Sequence, residues 1–96
     1  MTYKPNPINT SMVEMPEEIQ DVIEVLAKNI HETWAVQRIK EGWSYGPERN
    51  DERKEHPGLV PYDELTDQEK EYDRITVTET VKTLMALEYR IVAPKK

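Results

Sequence analysis

The feature that most restricts the fold of this chain is a long break in its helix-forming sequence. All three glycines and three of the seven prolines fall between residues 42 and 61. Both residue types interrupt helices, so this segment predicts a connection of about twenty residues between two helical parts. The connection also carries side chains that can pack: Trp43, Tyr45, Leu59, Val60 and Tyr62. We therefore expect an ordered, Ω-like loop.

The residues before the break predict a first helix from about Pro16 to Glu41. Six apolar side chains recur at spacings of three and four residues and fall within about 120° of one helical face. They are Ile19, Val22, Ile23, Leu26, Ile30 and Trp34. Pro16 suits a first helical position, and Lys40 followed by Gly42 is typical of a helix end. The first dozen residues, which contain Pro5 and Pro7, read as an extended arm.

A second, smaller apolar stripe lies on the opposite side of this helix and consists of Val25, Val36 and Ile39. A helix packed on a single core does not need it. The sequence leaves two interpretations open: the stripe lies under the following loop, or it contacts a partner.

Helix signals resume after the loop. Thr66 with Glu69 fits a capping box, and Thr76 with Glu79 repeats the pattern. We expect a short helix from about Asp67 to Asp73 that runs into, or bends at, a second helix ending near Leu87. The apolar face of that second helix is Val77, Val81, Leu84 and Met85, and residues 89–92 read as a short strand. The predicted fold is one mainly α domain over residues 1–96: two principal helices packed together, a long ordered loop between them, and minor short β-strands near the termini.

Composition and charge exclude several functional classes. The chain has no cysteine, which rules out disulfides and cysteine-based metal sites. It has no apolar run of the roughly 18–20 residues that span a membrane and no secretory leader, so a cytoplasmic location is expected. With 13 basic and 19 acidic residues the net charge is −6, which argues against non-specific nucleic-acid binding.

Catalytic motifs are equally scarce. Of the two histidines, His31 lacks the second histidine of a helical zinc motif, since position 35 is alanine. The segment Gly42–Gly46 is followed by proline and glutamate rather than by the residues of a phosphate loop. We expect no enzyme activity, no metal and no cofactor.

The residues that best fit a binding site surround the end of the first helix. His31, Trp34 and Arg38 share one flank of it, and Trp43, Tyr45 and Arg49 come just beyond. Indole and guanidinium planes together suit a flat anionic ligand, because the ring stacks and the cation pairs with phosphate or carboxylate. The alternative is that Trp34 belongs to the core, with Arg38 covering it and Arg49 bonded to acidic neighbours.

The same residues belong to longer motifs: HETWAVQRIKEGWSYGPERND from His31, HPGLVPY from His56 and EKEYDR from Glu69. In these motifs the chain resembles the ryanodine receptor repeat, or RyR domain, and is similar to its small single-repeat bacterial or phage-type members. The flanking segments, residues 4–11 and 80–91, match as well. Two residues depart from the family pattern. Asn50 replaces an aspartate, which is expected to weaken a carboxylate contact in the loop, and Glu88 replaces a glycine at the end of the last helix.

The resemblance implies a regulatory or interaction module without catalytic activity. In tandem repeats of the family the helix tryptophan of each half faces a shared cleft that holds an adenine-type nucleotide, and Trp34 matches that residue. A single repeat implies a homodimer, for which Val25, Val36 and Ile39 offer apolar surface. The resulting hypothesis is a nucleotide-like ligand at His31, Trp34, Arg38, Trp43, Tyr45 and Arg49. The rival hypothesis is a purely structural protein-protein interaction module with no ligand.

Overall fold

The computed structural model describes residues 2–92 and residue 94, and it is mainly α-helical, as predicted. The helices are α1 (Glu17–Gln20), α2 (Ile23–Lys40) and α3 (Asp67–Ala86), with one 3₁₀ turn at Tyr62–Glu64. The strands are β1 (Ser44–Tyr45) and β2 (Glu55–His56). The two long helices, α2 and α3, pack against each other, and the segment between them carries the strands and the 3₁₀ turn.

The predicted first helix is divided in two. Val22 has φ −108° and ψ 6°, outside the helical region, and it separates the single turn of α1 from α2. Pro16, with φ −56° and ψ 145°, precedes the first helical residue instead of occupying it. The prediction of one continuous helix from Pro16 to Glu41 was therefore wrong at Val22. The spacing of apolar residues stays helical across this point, so it does not reveal that the backbone angles of one residue change.

A small core lies between α2, α3 and the residues that precede α3. It is formed by Ala27, Tyr62, Leu65 and Val77, and it is flanked by the partly buried Ile23, Leu26, Ile30, Val60 and Val81. Of the stripe predicted for the first helix, Ile23, Leu26 and Ile30 pack against this core, whereas Val22 is exposed. The two helices run antiparallel, because Glu24 bonds to Arg74 whereas Trp34, ten residues later, lines the same cavity as Glu69.

The start of α3 has the predicted capping box. Thr66 Oγ1 accepts a hydrogen bond from the Glu69 N–H at 3.1 Å, and Glu69 Oε1 accepts one from the Thr66 N–H at 3.0 Å. The second predicted box, at Thr76, was wrong. Of the two alternatives for the junction near Asp73, the helix runs on without a bend, since α3 is one continuous helix. Inside it the Thr76 hydroxyl donates to the Tyr72 carbonyl at 2.9 Å, a bond that is available to threonine within a helix.

Both long helices end in the same way. Beyond α2, the N–H of Gly42 bonds to the Ile39 carbonyl and the N–H of Trp43 to the Arg38 carbonyl; beyond α3, Glu88 and Tyr89 bond in the same pattern. This cap requires a left-handed residue directly after the helix. Gly42 has φ 94°, as predicted, and Glu88 reaches φ 74° although it carries a side chain.

The connection between the helices is ordered by hydrogen bonds, and it contains the strand pair. β1 and β2 are parallel, with Ser44 opposite Glu55 and Tyr45 opposite His56. A tight turn links them: Asn50 and Glu55 exchange both backbone hydrogen bonds, and Asn50 Oδ1 accepts from the Arg53 N–H at 3.0 Å. An amide oxygen therefore serves in this turn, where the family pattern has a carboxylate. Lys54 Nζ donates to the Glu41 carbonyl at 2.8 Å and ties the turn to the end of α2.

The expectation of strands near the termini was wrong. Residues 89–92 form no strand, and residues 2–10 have no regular structure. A two-residue pairing is too short to leave a periodic signal, so the strands inside the loop could not be predicted from the pattern of residues. The N-terminal segment is fixed at Thr10, a buried residue whose hydroxyl donates to Glu79 Oε1 at 2.8 Å. Among the described residues no helix is both long and apolar enough to cross a membrane.

Candidate functional site

The C-terminal end of α2 and the loop together build a cluster of aromatic rings and cations. Trp34 projects from α2, Trp43 follows its cap, and His56 is the second residue of β2. The His56 ring meets Trp34 edge-on at 5.0 Å between centroids, and it meets Trp43 at 6.3 Å. The parallel strand pair makes this possible, since it returns the chain at residue 56 to the position where it left α2.

Two arginines flank the rings. The Arg38 guanidinium carbon lies 5.9 Å from the centroid of Trp34 and 5.1 Å from that of Trp43, so one cation contacts both indoles. The guanidinium carbon of Arg49 lies 6.0 Å from the Trp43 ring. The acidic partners are weakly held at the surface: Glu41 is 3.6 Å from Arg38, and Asp51 is 2.9 Å from Arg49. Exposed pairs of this kind contribute little stability, so the cations can exchange partners.

His31 has a position of its own in the cluster. It is 5% exposed, and its Nε2 donates to the Val60 carbonyl at 2.7 Å. Its ring also stacks at a tilt against Trp34, 5.6 Å away. This histidine therefore connects the loop to α2 and packs against the Trp34 ring. Its Nε2 is bonded to the Val60 carbonyl and is not available to a ligand.

His56 belongs to this cluster, although it was predicted only as part of a motif and not as a site residue. Its Nδ1 accepts a hydrogen bond from the Gly58 N–H at 2.8 Å, so that nitrogen carries no proton. Burial, together with the nearby Arg49 and Arg38, lowers the pKa of the His56 imidazole. A Cβ at Gly58 would lie 3.0 Å from the His56 ring, so only glycine leaves the imidazole its present place. The signal available in the sequence was the dipeptide His56-Pro57 ahead of a glycine, which is weak on its own.

An open cavity of about 210 Å³ adjoins Trp34 on the side facing α3. Its lining combines four rings, Gly58 and Leu65 with two carboxylates, and both carboxylates come from α3. The residues are His31, Trp34, His56, Gly58, Leu65, Glu69, Tyr72 and Asp73. Hydrogen bonds from Thr66 lower the pKa of Glu69, whereas burial raises the pKa of Asp73. The cavity is therefore aromatic with an acidic wall. Arg38 lies beside Trp34 and Arg49 beside Trp43, both outside the cavity lining.

The six predicted residues are only partly brought together. His31, Trp34, Arg38 and Trp43 form one contiguous group, and Arg49 reaches it through Trp43. The Tyr45 side chain is 57% exposed and is not part of the cavity wall. Of the second α2 stripe, Val25 and Val36 are exposed, and the exposed Ile39 borders a groove with Leu59, Val60 and Pro61. The stripe is thus not covered by the loop.

The fold and this cluster define a class: a small helical module with an ordered loop folded back on an aromatic helix end. The chain belongs to the RyR domain family, whose model matches residues 3–93, nearly its whole length. Membership supports a role as a repeat and interaction module.

Proposed function

We propose that this domain is a non-catalytic regulatory module that binds a nucleotide-like small molecule at the Trp34 end of α2. The observation that carries the proposal is the position of Arg38. Its guanidinium contacts both tryptophan rings, yet its only acidic partner among the described residues is Glu41 at 3.6 Å. A planar ring can stack on indole while the anionic part of the same ligand takes over the arginine.

The electrostatics favour a local site of this kind. The chain as a whole carries a charge of −6, which repels free anions over distances up to about a Debye length, roughly 8–10 Å in physiological salt. Arg38 and Arg49 concentrate positive charge beside the two tryptophans. An anion is therefore attracted to the two arginines, which lie beside tryptophan rings. This combination favours ligands that carry both an anionic group and a planar ring.

The first prediction tests this site directly. Titration with ATP, ADP, ADP-ribose and cyclic nucleotides, followed by calorimetry and tryptophan emission, should give saturable binding of at least one of them. Arg38→Gln should weaken that binding about tenfold or more, because a hydrogen bond to a charged group contributes about 1.5–3 kcal/mol. Arg90→Gln is the matched control, since Arg90 is exposed and lies beyond the opposite end of α3. A folded protein that responds to none of the nucleotides contradicts the proposal.

The second candidate function is an interaction module that needs no ligand. The exposed apolar side chains of α2, Val25, Val36 and Ile39, favour it, because they offer a surface to another protein. Iodide quenching distinguishes the two functions. A Trp34 ring that receives ligand should be quenched by iodide and protected when a nucleotide binds, whereas in a ligand-free module no nucleotide should alter the quenching. Trp43→Phe leaves Trp34 as the one emitting indole, and because Trp43 belongs to the proposed site, nucleotide binding to this variant is first confirmed by calorimetry.

A further inference from the structure

Rings make up half of the lining of the cavity beside Trp34. His31, Trp34 and His56 come from α2 and the loop, and Tyr72 comes from α3. The Tyr72 side chain is 65% exposed, so its ring lies at the rim. Aromatic rings have a negative face, which attracts a cation within about 6 Å of the ring centroid. The cavity volume of about 210 Å³ equals that of about seven water molecules in the liquid, which is sufficient for a small organic cation.

Two carboxylates complete the charge of this cavity. Glu69 and Asp73 lie one turn apart on α3, and neither forms an ion pair with another of the described residues. Glu69 Oε1 accepts hydrogen bonds from Thr66, which leaves Glu69 Oε2 and the Asp73 carboxylate facing the cavity region without a cation. Burial raises the pKa of Asp73, and the charge of Glu69 adds to the rise. A cation between the two carboxylates would relieve this repulsion.

The positive groups of the site leave the cavity open to a cation. Arg38 and Arg49 lie outside its lining, beside the tryptophan rings. Burial, together with these two arginines, lowers the pKa of His56 below 6.5, so this ring of the lining is neutral at neutral pH. The cavity therefore has aromatic and negative groups together, on a chain whose net charge is −6.

We propose that this cavity binds a quaternary ammonium group, with its methyl groups against the rings and its charge balanced by Glu69 and Asp73. A bare ammonium is strongly hydrated and needs acceptors for its three N–H groups. A trimethylammonium group has no N–H and exposes methyl groups to the rings, so it suits an aromatic lining better. The group can belong to a free choline-type molecule or to a trimethylated lysine side chain. This inference does not rest on the proposed function, because Arg38 does not line the cavity.

The test compares choline with the alcohol in which a tert-butyl group replaces the trimethylammonium group. The two molecules have the same shape, and only choline is charged. Both are titrated without nucleotide, at neutral pH and constant ionic strength, and binding is followed by the NMR signal of the Trp34 indole N–H. Choline should saturate this signal and bind about tenfold or more tightly than the neutral alcohol, because the rings and carboxylates attract its charge. Equal binding of the two molecules, or no binding of choline, overturns the proposal.

Variants of α3 locate the bound group. Tyr72→Leu removes the ring at the rim and should weaken choline binding about two- to fivefold, whereas Tyr72→Phe keeps the ring and should bind like the wild type. Asp73→Asn preserves the shape of the side chain, removes its charge, and should weaken the binding of choline by a similar factor but not that of the neutral alcohol. Asp67→Asn is the matched control, since it removes an exposed carboxylate of the same helix outside the cavity.

Peptides distinguish the two sources of the group. An uncharged peptide with one trimethylated lysine is compared with choline and with the same peptide carrying unmodified lysine. Tighter binding of the trimethylated peptide than of choline assigns the site to a methylated protein, and the reverse order assigns it to a free small molecule. Equal binding of the two peptides contradicts the proposal, and so does wild-type affinity for choline in folded Tyr72→Leu and Asp73→Asn, with folding checked by circular dichroism. None of these failures affects the anion site at Arg38.

Discussion

His56 connects the loop to the C-terminal end of α2. It contacts both tryptophans, it pairs with Tyr45 across the strands, and its Nδ1 receives the Gly58 N–H. This last bond exists only while Nδ1 is unprotonated. The ring therefore joins α2 to the loop in its neutral form, and protonation removes a hydrogen bond and places a cation near Arg38 and Arg49.

Protonation of His56 should make stability depend on pH. The pKa of His56 is lower in the folded protein than its ordinary value of 6.5, so the unfolded chain binds the proton more readily. Its contribution is therefore fully present above pH 6.5, and it is lost as the pH falls from there through the folded pKa. Urea unfolding between about pH 8 and pH 5 should show the free energy of unfolding decreasing over this range.

His56→Asn provides the comparison for that experiment. The asparagine Oδ1 can accept the Gly58 N–H as an Asx turn does, but it does not titrate in this range. The variant should lose less stability than the wild type over the same pH interval. Identical pH profiles for the two proteins would show that His56 does not carry the effect.

At the scale of elements, the helix ends were partly predictable. The Thr66 capping box and the Gly42 stop follow from local chemistry, since a hydroxyl, a carboxylate and a glycine each have a known partner or backbone preference. The break at Val22 and the continuity of α3 through Thr76 were not predictable, because neither changes the spacing of apolar residues. The strand pair depends on contacts between residues 44–45 and 55–56, which pattern reasoning does not detect.

The two equivalent helix caps predict stability changes of opposite sign. Glu88→Gly should stabilise the protein by about 0.5–1 kcal/mol. A left-handed residue with a side chain costs about 1–2 kcal/mol. Removing this cost is partly offset, because glycine increases the conformational entropy of the unfolded chain. Gly42→Ala should destabilise the protein by about 1 kcal/mol, because alanine is strained at φ 94°. A steric clash does not add to this cost, since the nearest atom to the added Cβ would lie 3.7 Å away.

Urea denaturation of both variants measures these changes, and the helix content by circular dichroism should stay constant. The pair is its own control, because the hydrogen-bonding pattern is the same at both ends. A destabilised Glu88→Gly protein would indicate that the Glu88 side chain makes a favourable contribution larger than the backbone strain.

At the scale of the molecule, few side chains are buried. Among residues 2–92 and 94 the buried core has four apolar residues, and the radius of gyration is 16.5 Å, against about 12–13 Å for a compact domain of this length. The core-facing sides of the two long helices were largely predictable, because periodicity reports which side of a helix is apolar, although Val22 and Leu84 of the predicted faces are exposed. The position of His56 and the cavity wall on α3 were not, because they bring together residues 31–34, 56–58 and 65–73 across the fold.

We expect the exposed stripe of α2 to pair with a second copy of the chain. Sedimentation at tens of micromolar should show a dimer, and Val36→Glu should shift the equilibrium toward monomer by about tenfold or more, because a buried unpaired charge is costly. Thr33→Glu, an exposed position on the same helix outside the stripe, is the control. A wild-type protein that sediments only as a monomer at these concentrations contradicts the expectation.

The common location of both tryptophans has a spectroscopic consequence. The chain has only two indoles, and both contact Arg38 and His56. Its intrinsic emission is therefore a probe of one end of the molecule, whereas far-ultraviolet ellipticity averages over α2 and α3. Melting curves recorded by the two signals coincide only if the loop detaches together with the helices, so their separation measures how cooperatively the loop end is joined to the rest.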